Sequence, residues 1–213
     1  MNKSHIFLAI ITLLSYTAFS QETLEDDRGK VKFGLKGGIN YSNNYDSEGE
    51  EFVSESKVGF AGGIFLGIPI GKFLGIQPEL LYSQKGYKET GQFLGSTYDL
   101  TRTTDYIDVP LLVSIKPVKF LTIQAGPQFS YLVKQKDVFT SPLATIEQEN
   151  EFKNDNIRKN IFGFVGGLDI NINKLIIGAR AGWDIQNNNG DGTSTNPRYK
   201  NAWTQATIGF RIL

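Results

Sequence analysis

Tyr106-Ile107-Asp108-Val109-Pro110-Leu111-Leu112-Val113-Ser114-Ile115-Lys116 reads as an extended segment with two unlike faces. Ile107, Val109, Leu111, Val113 and Ile115 share one parity; Asp108, Pro110, Leu112, Ser114 and Lys116 share the other. Successive side chains of a strand point to opposite sides, so this stretch has one aliphatic face and one mixed face. The pattern recurs along the chain. Upstream, Leu35 and Ile39 alternate with Lys36 and Gly38, Ile64, Leu66 and Ile68 with Gly63, Phe65 and Gly67, and Ile76, Leu80 and Tyr82 with Gln77, Glu79 and Leu81. Downstream, Ile123 and Phe129 alternate with Gln124 and Gln128, Leu168 and Ile170 with Gly167 and Asp169, Ile177, Ala179 and Trp183 with Gly178, Arg180 and Asp184, and Ile208, Phe210 and Ile212 with Gly209 and Arg211. This predicts eight strands, each near the 9–11 residues that cross a bilayer at a tilt.

The connections order them. Three are short: Pro69 to Lys72, Lys116 to Lys119, and Asn173-Lys174. Four are long and polar: Tyr41 to Lys57, Lys88 to Thr104, Gln135 to Asn160, and Gln186 to Lys200. Short and long alternate throughout, which is the rhythm of an eight-stranded antiparallel up-and-down transmembrane β-barrel with short periplasmic turns and long outer loops. Both termini then belong on the short-turn side, in the periplasm. A soluble lipocalin-like barrel that binds a small ligand has the same strand number with the aliphatic face turned inward. Three features favour the membrane. Twelve glycines fall on the mixed face, where a narrow interior needs small residues. Tyr41, Tyr82, Tyr131 and Trp183 lie near the loop ends of the aliphatic face, as interfacial aromatics do. No charge interrupts the aliphatic faces between. Against this, Pro78, Pro110 and Pro127 fall inside three consecutive strands and predict bulges or ladder gaps there.

The first twenty residues form a separate unit. Lys3, the apolar run Ile6 to Leu14 and the small-x-small sequence Ala18-Phe19-Ser20 before Gln21 match a secretory signal peptide cleaved between Ser20 and Gln21. The chain therefore divides into residues 1–20 as signal peptide, 21–29 as a polar periplasmic tail and 30–213 as the barrel domain.

Composition narrows the chemistry. Among 213 residues there is no Cys and one His, His5, which falls in the signal segment. That leaves no thiolate, no imidazole base and no Ser-His-Asp triad for the mature chain. A formal net charge of +0 argues against a nucleic-acid partner. No enzymatic role and no cofactor or metal site is expected. Inward ionisable residues are Glu79, Asp108, Asp169, Arg180 and Arg211, with Lys32, Lys36, Lys85, Lys116 and Lys134 nearer the strand ends. Glu79, Asp169 and Arg180 count to similar heights above the turns. A hydrogen-bonded charge plug is the expected reading, since buried charges must pair and eight strands leave a filled core. The acidic first loop, with Asp46, Glu48, Glu50, Glu51 and Glu55 against Lys57, reads as a solvated segment. Asn187 to Gly192 is similar to a calcium loop but lacks its closing Glu, and reads as a turn-rich tip.

Ile76-Gln77-Pro78-Glu79-Leu80-Leu81-Tyr82-Ser83-Gln84-Lys85-Gly86 and Tyr106-Ile107-Asp108-Val109-Pro110-Leu111-Leu112 resemble the third- and fourth-strand signatures of the PorT-like outer-membrane β-barrel family of Bacteroidota. Gly126-Pro127-Gln128-Phe129-Ser130-Tyr131-Leu132, Gly166-Gly167, Gly178-Ala179-Arg180 and Gly209-Phe210-Arg211 follow in the family's order. The resemblance covers nearly all of the mature chain. It implies an outer-membrane barrel of the kind often labelled porin, makes the strand prolines a shared feature, and brings the precedent of one member that assists protein secretion. Position 108 carries Asp where Glu is commoner, and Leu213 stands where such barrels usually end in an aromatic, leaving Phe210 for that role. Expected partners are outer-membrane lipid, periplasmic chaperones, the barrel-insertion machinery and a loop-bound protein of unknown identity.

Overall fold

The computed structural model describes residues 26–46, 54–93, 96–141, 145–150, 159–187 and 199–213. The expected signal peptide, including His5, Ser20 and Gln21, lies outside them, as do Glu48, Glu50, Glu51 and the tip after Asn187. A 3-10 turn at Asp27–Gly29 precedes nine strands: β1 (Lys32–Asp46), β2 (Ser54–Pro69), β3 (Leu74–Phe93), β4 (Ser96–Val118), β5 (Leu121–Thr140), β6 (Thr145–Asn150), β7 (Asn160–Ile172), β8 (Leu175–Asp184) and β9 (Tyr199–Arg211). All pair antiparallel. β1 pairs with both β2 and β9, and the β4–β5 and β5–β7 pairings complete a ring of eight. A closed ring satisfies every strand edge internally, which a sheet in lipid requires.

The ninth strand is a departure from the expected eight. β6 pairs only with β5, along Gln135 to Thr140, beyond the part of β5 that pairs with β7. Seven ring strands also exceed the expected 9–11 residues, reaching 23 in β4, while β8 keeps to it with 10. Much of the expected second loop is paired strand, with register running unbroken from Lys88↔Thr101 to Phe93↔Ser96. Hydrophobic alternation does not reveal such segments, because a hairpin standing in water needs no apolar face, and its Thr and Tyr content alone favours extension.

The faces divide as the lipid reading requires. Leu35, Ile39, Phe60, Leu80, Leu111, Val113, Ile177 and Ile208 are exposed on the outer wall, Ile39 by 55%. Lys36, Asn40, Gln77, Glu79, Asp108, Gln124, Asp169, Arg180 and Gln205 are buried within, Glu79 at 4% exposure. A lipocalin-like barrel needs the opposite arrangement. Phe65, Leu81, Leu112, Val165 and Ile176 are among the apolar side chains buried on the inner face, and Tyr106, Leu132 and Ile161 form a small inward cluster near the long-loop side.

Proline and glycine shape the wall differently. Pairing skips from Pro78↔Leu111 to Leu81↔Asp108, and from Pro110↔Gln128 to Val113↔Ala125, with equal steps on both strands. The prolines thus open ladder gaps where they cannot donate, without shifting register. The bulges lie elsewhere. One falls in β2 between Ser56 and Ala61, one in β5 opposite Asp105 and Tyr106, and a third in β4 between Ile115 and Val118, beside the short turn. The second inserts Val133, so Lys134 is half-exposed and leaves the inward set in which its parity placed it. Gly38 shows why the inner face is rich in glycine. A Cβ there would collide with the carbonyl oxygen and carbon of Ala206 on β9, so only glycine lets β1 and β9 approach so closely. The β7–β8 turn uses Asn173 at φ 51°, a left-handed conformation that Asn tolerates.

Candidate functional site

The interior is organised in three charged layers. The middle one is centred on Glu79 of β3. Arg180 of β8 donates from Nη1 to Glu79 Oε2 at 2.7 Å and from Nη2 to Oε1 at 2.9 Å, a bidentate pair across the lumen. Lys36 of β1 donates to Glu79 Oε1 at 2.8 Å and Gln77 donates to it at 2.7 Å. Arg180 also donates to Gln124 Oε1 at 2.7 Å and lies 3.7 Å from Asp169. Two cations thus meet two carboxylates, all four buried. The geometry brings together Glu79, Asp169 and Arg180, the three residues that sequence counting set at one height, and adds Lys36, which that counting placed nearer the strand end.

The layer toward the long loops holds Asp108. Lys85 approaches Asp108 Oδ2 at 3.1 Å and sits over the rings of Trp203, at 3.9 Å, and Tyr106, at 4.9 Å. Asp184 is buried in the same upper part of the interior and accepts from the Asn201 side chain at 2.6 Å and backbone N–H at 3.1 Å. Below it, Gln205 donates to Asn40, whose Nδ2 donates to Ser83 at 2.9 Å. Trp203 and Asp184 are absent from the expected charge set. Strand parity places both inward, since Trp203 shares parity with Gln205 and Thr207. Nothing in the sequence links either to Lys85, because neither β8, which carries Asp184, nor β9, which carries Trp203, pairs with β3.

The layer at the short turns holds Arg211. Its Nη1 donates to Asp27 Oδ2 at 2.6 Å and its Nη2 to the Asn173 carbonyl. Asp108, Arg211 and the Glu79 group are therefore members of separate layers, not of one network. Asp27 also accepts from Lys32 at 2.9 Å. Arg28 donates to both oxygens of Asp26 and to the carbonyls of Lys116 and Pro117, and Lys116 Nζ donates back to the Arg28 carbonyl at 3.2 Å. Residues 26–29 are thus not a free tail; they are bound to the β4–β5 turn and to the end of β9. The Arg28 guanidinium beside Asp26 holds its carboxyl well below the usual carboxylate range. Burial works upward on Asp27, but Lys32 and Arg211 outweigh it and the net shift is down.

On the outer wall, Tyr41, Tyr131 and Trp183 are exposed, while Tyr82 is half-buried and stacks on Phe60 with centroids 5.3 Å apart. Tyr82, Ile107 and Tyr131 are consecutive register partners across β3, β4 and β5. Trp183 contacts Phe164 at 5.5 Å. Among the described residues, no group of three or more His, Cys, Asp or Glu could hold a metal ion.

A family model described as "Outer membrane protein beta-barrel domain" matches residues 19–188. No curated protein resembles the sequence at a significant level. Among solved structures, the chain is similar to Ail, the attachment invasion locus protein of Yersinia pestis, with 11% identity and a TM-score of 0.46, covering 85% of this chain and 98% of that one. It is similar to Neisserial surface protein A with 12% identity and a TM-score of 0.45, covering 84% and 96%. It is also similar to CarO2 of Acinetobacter baumannii, with 10% identity, a TM-score of 0.43 and coverage of 84% and 99%.

Proposed function

This chain belongs to the outer membrane protein β-barrel domain family, and from that premise we propose that it is an integral outer-membrane barrel with a structural, adhesive or secretion-accessory role and a filled lumen. The observation that carries this reading is the inversion of the wall. Aliphatic side chains face outward along all eight ring strands, while Lys36, Glu79, Asp169 and Arg180 meet inside. A charge on the outer wall at mid-membrane costs about 2–4 kcal/mol, and no carboxylate or cation interrupts the exposed aliphatic rows. Inside, bidentate pairing of Arg180 with Glu79 fills the narrow section that eight strands enclose.

In this reading the short turns and both termini face the periplasm, and the β3–β4 and β5–β6 hairpins stand outside. The first twenty residues direct export and are removed after Ser20. Within the family, the ordered strand motifs support a place among PorT-like barrels of Bacteroidota. Recognition of any protein partner falls to the outer hairpins, and no catalytic step is assigned to the chain.

Membrane fractionation followed by gel electrophoresis of boiled and unboiled samples tests the reading. An outer-membrane band whose mobility changes on heating supports it; a soluble, unshifted protein defeats it. The filled lumen has its own test in a planar bilayer, where only background conductance is expected. Large, stable single-channel steps would overturn the filled lumen while leaving the barrel intact.

A further inference from the structure

Around the ring, strand ends meet at four places on the short-turn side, each two strands from the next: β9 with β1, β2 with β3, β4 with β5, and β7 with β8. Each place carries an exposed lysine. Lys30 precedes β1, Lys72 lies between β2 and β3, Lys119 between β4 and β5, and Lys174 between β7 and β8. Each lysine is followed directly by an exposed apolar residue: Val31, Phe73, Phe120 and Leu175. Phe73 and Phe120 are among the most exposed aromatics described, at 63% and 60%.

Among the described residues, the only carboxylate side chains at this end are Asp26 and Asp27. Arg28, Lys32 and Arg211 already engage them. Lys72 approaches Asp26 at 3.6 Å with its own side chain 65% exposed. The described side chains of this rim thus include more cations than carboxylates. At the long-loop end, by contrast, Arg102 pairs with Asp137 and Lys136 with Glu147.

We propose that this rim is a collar that binds the headgroups of anionic phospholipids in the leaflet facing the short turns. An ammonium next to an outward apolar side chain matches a membrane boundary, where the apolar group enters the acyl region and the cation rises to the phosphates. A soluble anionic partner would need the four cations but not the apolar residue beside each. The spacing around the whole circumference likewise fits a surrounding layer of lipid better than one docked macromolecule. The collar rests on the membrane-embedded reading above and adds to it a lipid class and a set of residues.

The refolded protein is reconstituted in phosphatidylcholine bilayers containing trace spin-labelled phosphatidylglycerol or spin-labelled phosphatidylcholine. The fraction of each label held immobile at the protein surface gives their relative association. The wild type should prefer the anionic lipid, each lysine contributing up to about fivefold where it reaches a phosphate. Replacing Lys30, Lys72, Lys119 and Lys174 together by Gln should bring the ratio near parity, and replacing all four by Arg should retain it. High salt on the wild type should weaken the preference without any mutation. The loop-side variant with Lys88→Gln and Lys136→Gln should leave it unchanged. Parity in the embedded wild type, a preference that survives the four Gln substitutions, or its loss in the loop-side variant would each overturn the collar. Retention of cell-wall fragments by an embedded wild type at lipid parity would overturn it in favour of a polymer partner. Heat-dependent gel mobility on every sample separates these outcomes from failure to embed, which would overturn the membrane reading itself.

Discussion

The barrel holds two arginine–carboxylate pairs of nearly the same geometry in unlike surroundings. Arg180 and Glu79 make two hydrogen bonds of 2.7 and 2.9 Å, with side chains 2% and 0% exposed. Arg102 and Asp137 make two of 2.7 Å, with side chains 16% and 8% exposed. The first pair spans the lumen between strands that are not neighbours. The second joins direct register partners of β4 and β5 on the projecting hairpins. Geometry alone would rank them equal. Burial does not, because removing one member of a buried pair strands a charge away from water, whereas a hairpin charge can be hydrated.

Breaking the inner pair should have the largest effect. Arg180→Leu is expected to lose about 3–5 kcal/mol of stability, read from the denaturant midpoint and from the temperature at which the compact gel band disappears. Replacing Glu79 and Arg180 together by apolar residues should cost less than the two single changes added, by more than about 0.5 kcal/mol. A single variant as stable as the wild type would show that the middle layer contributes packing and not charge pairing. Next comes a change to the wall that supports this pair. A Cβ on Gly167 would meet the Ala179 carbonyl oxygen and the Arg180 stem, which lies opposite in register. Gly167→Val should cost about 1–3 kcal/mol by forcing β7 from β8 and Arg180 from Glu79. An unaltered melting profile would mean that the strands separate freely.

The outer pair should matter less. Arg102→Leu is expected to cost less than Arg180→Leu, because Arg102 is only half-buried and Asp137 keeps the hydrogen bond from Gln135, and the cost should shrink as salt is raised. A larger, salt-independent loss would erase the contrast between the two pairs. The smallest effect concerns the segment bound at the short-turn mouth. Asp26 and Asp27 both have carboxyls lowered by neighbouring cations. A depressed carboxylate stabilises the folded form above its unfolded value of about 4 and loses that contribution as pH falls through the folded value. Hydrogen exchange at residues 28–30, taken relative to the intrinsic rate at each pH, should therefore stay slow from pH 7 to pH 5 and quicken below about pH 4. Asp27→Asn should quicken it at neutral pH, and exchange that ignores both acid and substitution would remove these carboxylates from the docking.

How much could be read from the chain alone varies with depth in the bilayer. Across the membrane, one face must be apolar and the other need not be, so parity exposes strand, face and inward residue together. Ile107 to Lys116 shows this without any partner strand. Outside the bilayer the constraint vanishes. The β3–β4 hairpin beyond Lys88 and all of β6 resemble loops in sequence because neither carries an alternating aliphatic row. Height counting found Glu79, Asp169 and Arg180, since antiparallel strands with short turns share an origin. It missed Lys36, whose long side chain carries its ammonium away from the level of its Cα, and it separated Trp203 from Lys85.

The alternating parity, the three short turns and the lack of charge on the aliphatic rows were determined by sequence, because each depends on period-2 geometry or on residue chemistry alone. Which charges pair was decided only by the closed ring. Arg180 reaches Glu79 over a sequence separation of 101, and Arg211 reaches back to Asp27, through contacts created when β1 meets β9 and β4 meets β5. A strand's pattern specifies which way each side chain points, but the curvature, the bulges at Lys57–Phe60 and Val133, and the close approach permitted at Gly38 and Gly167 decide what it meets there.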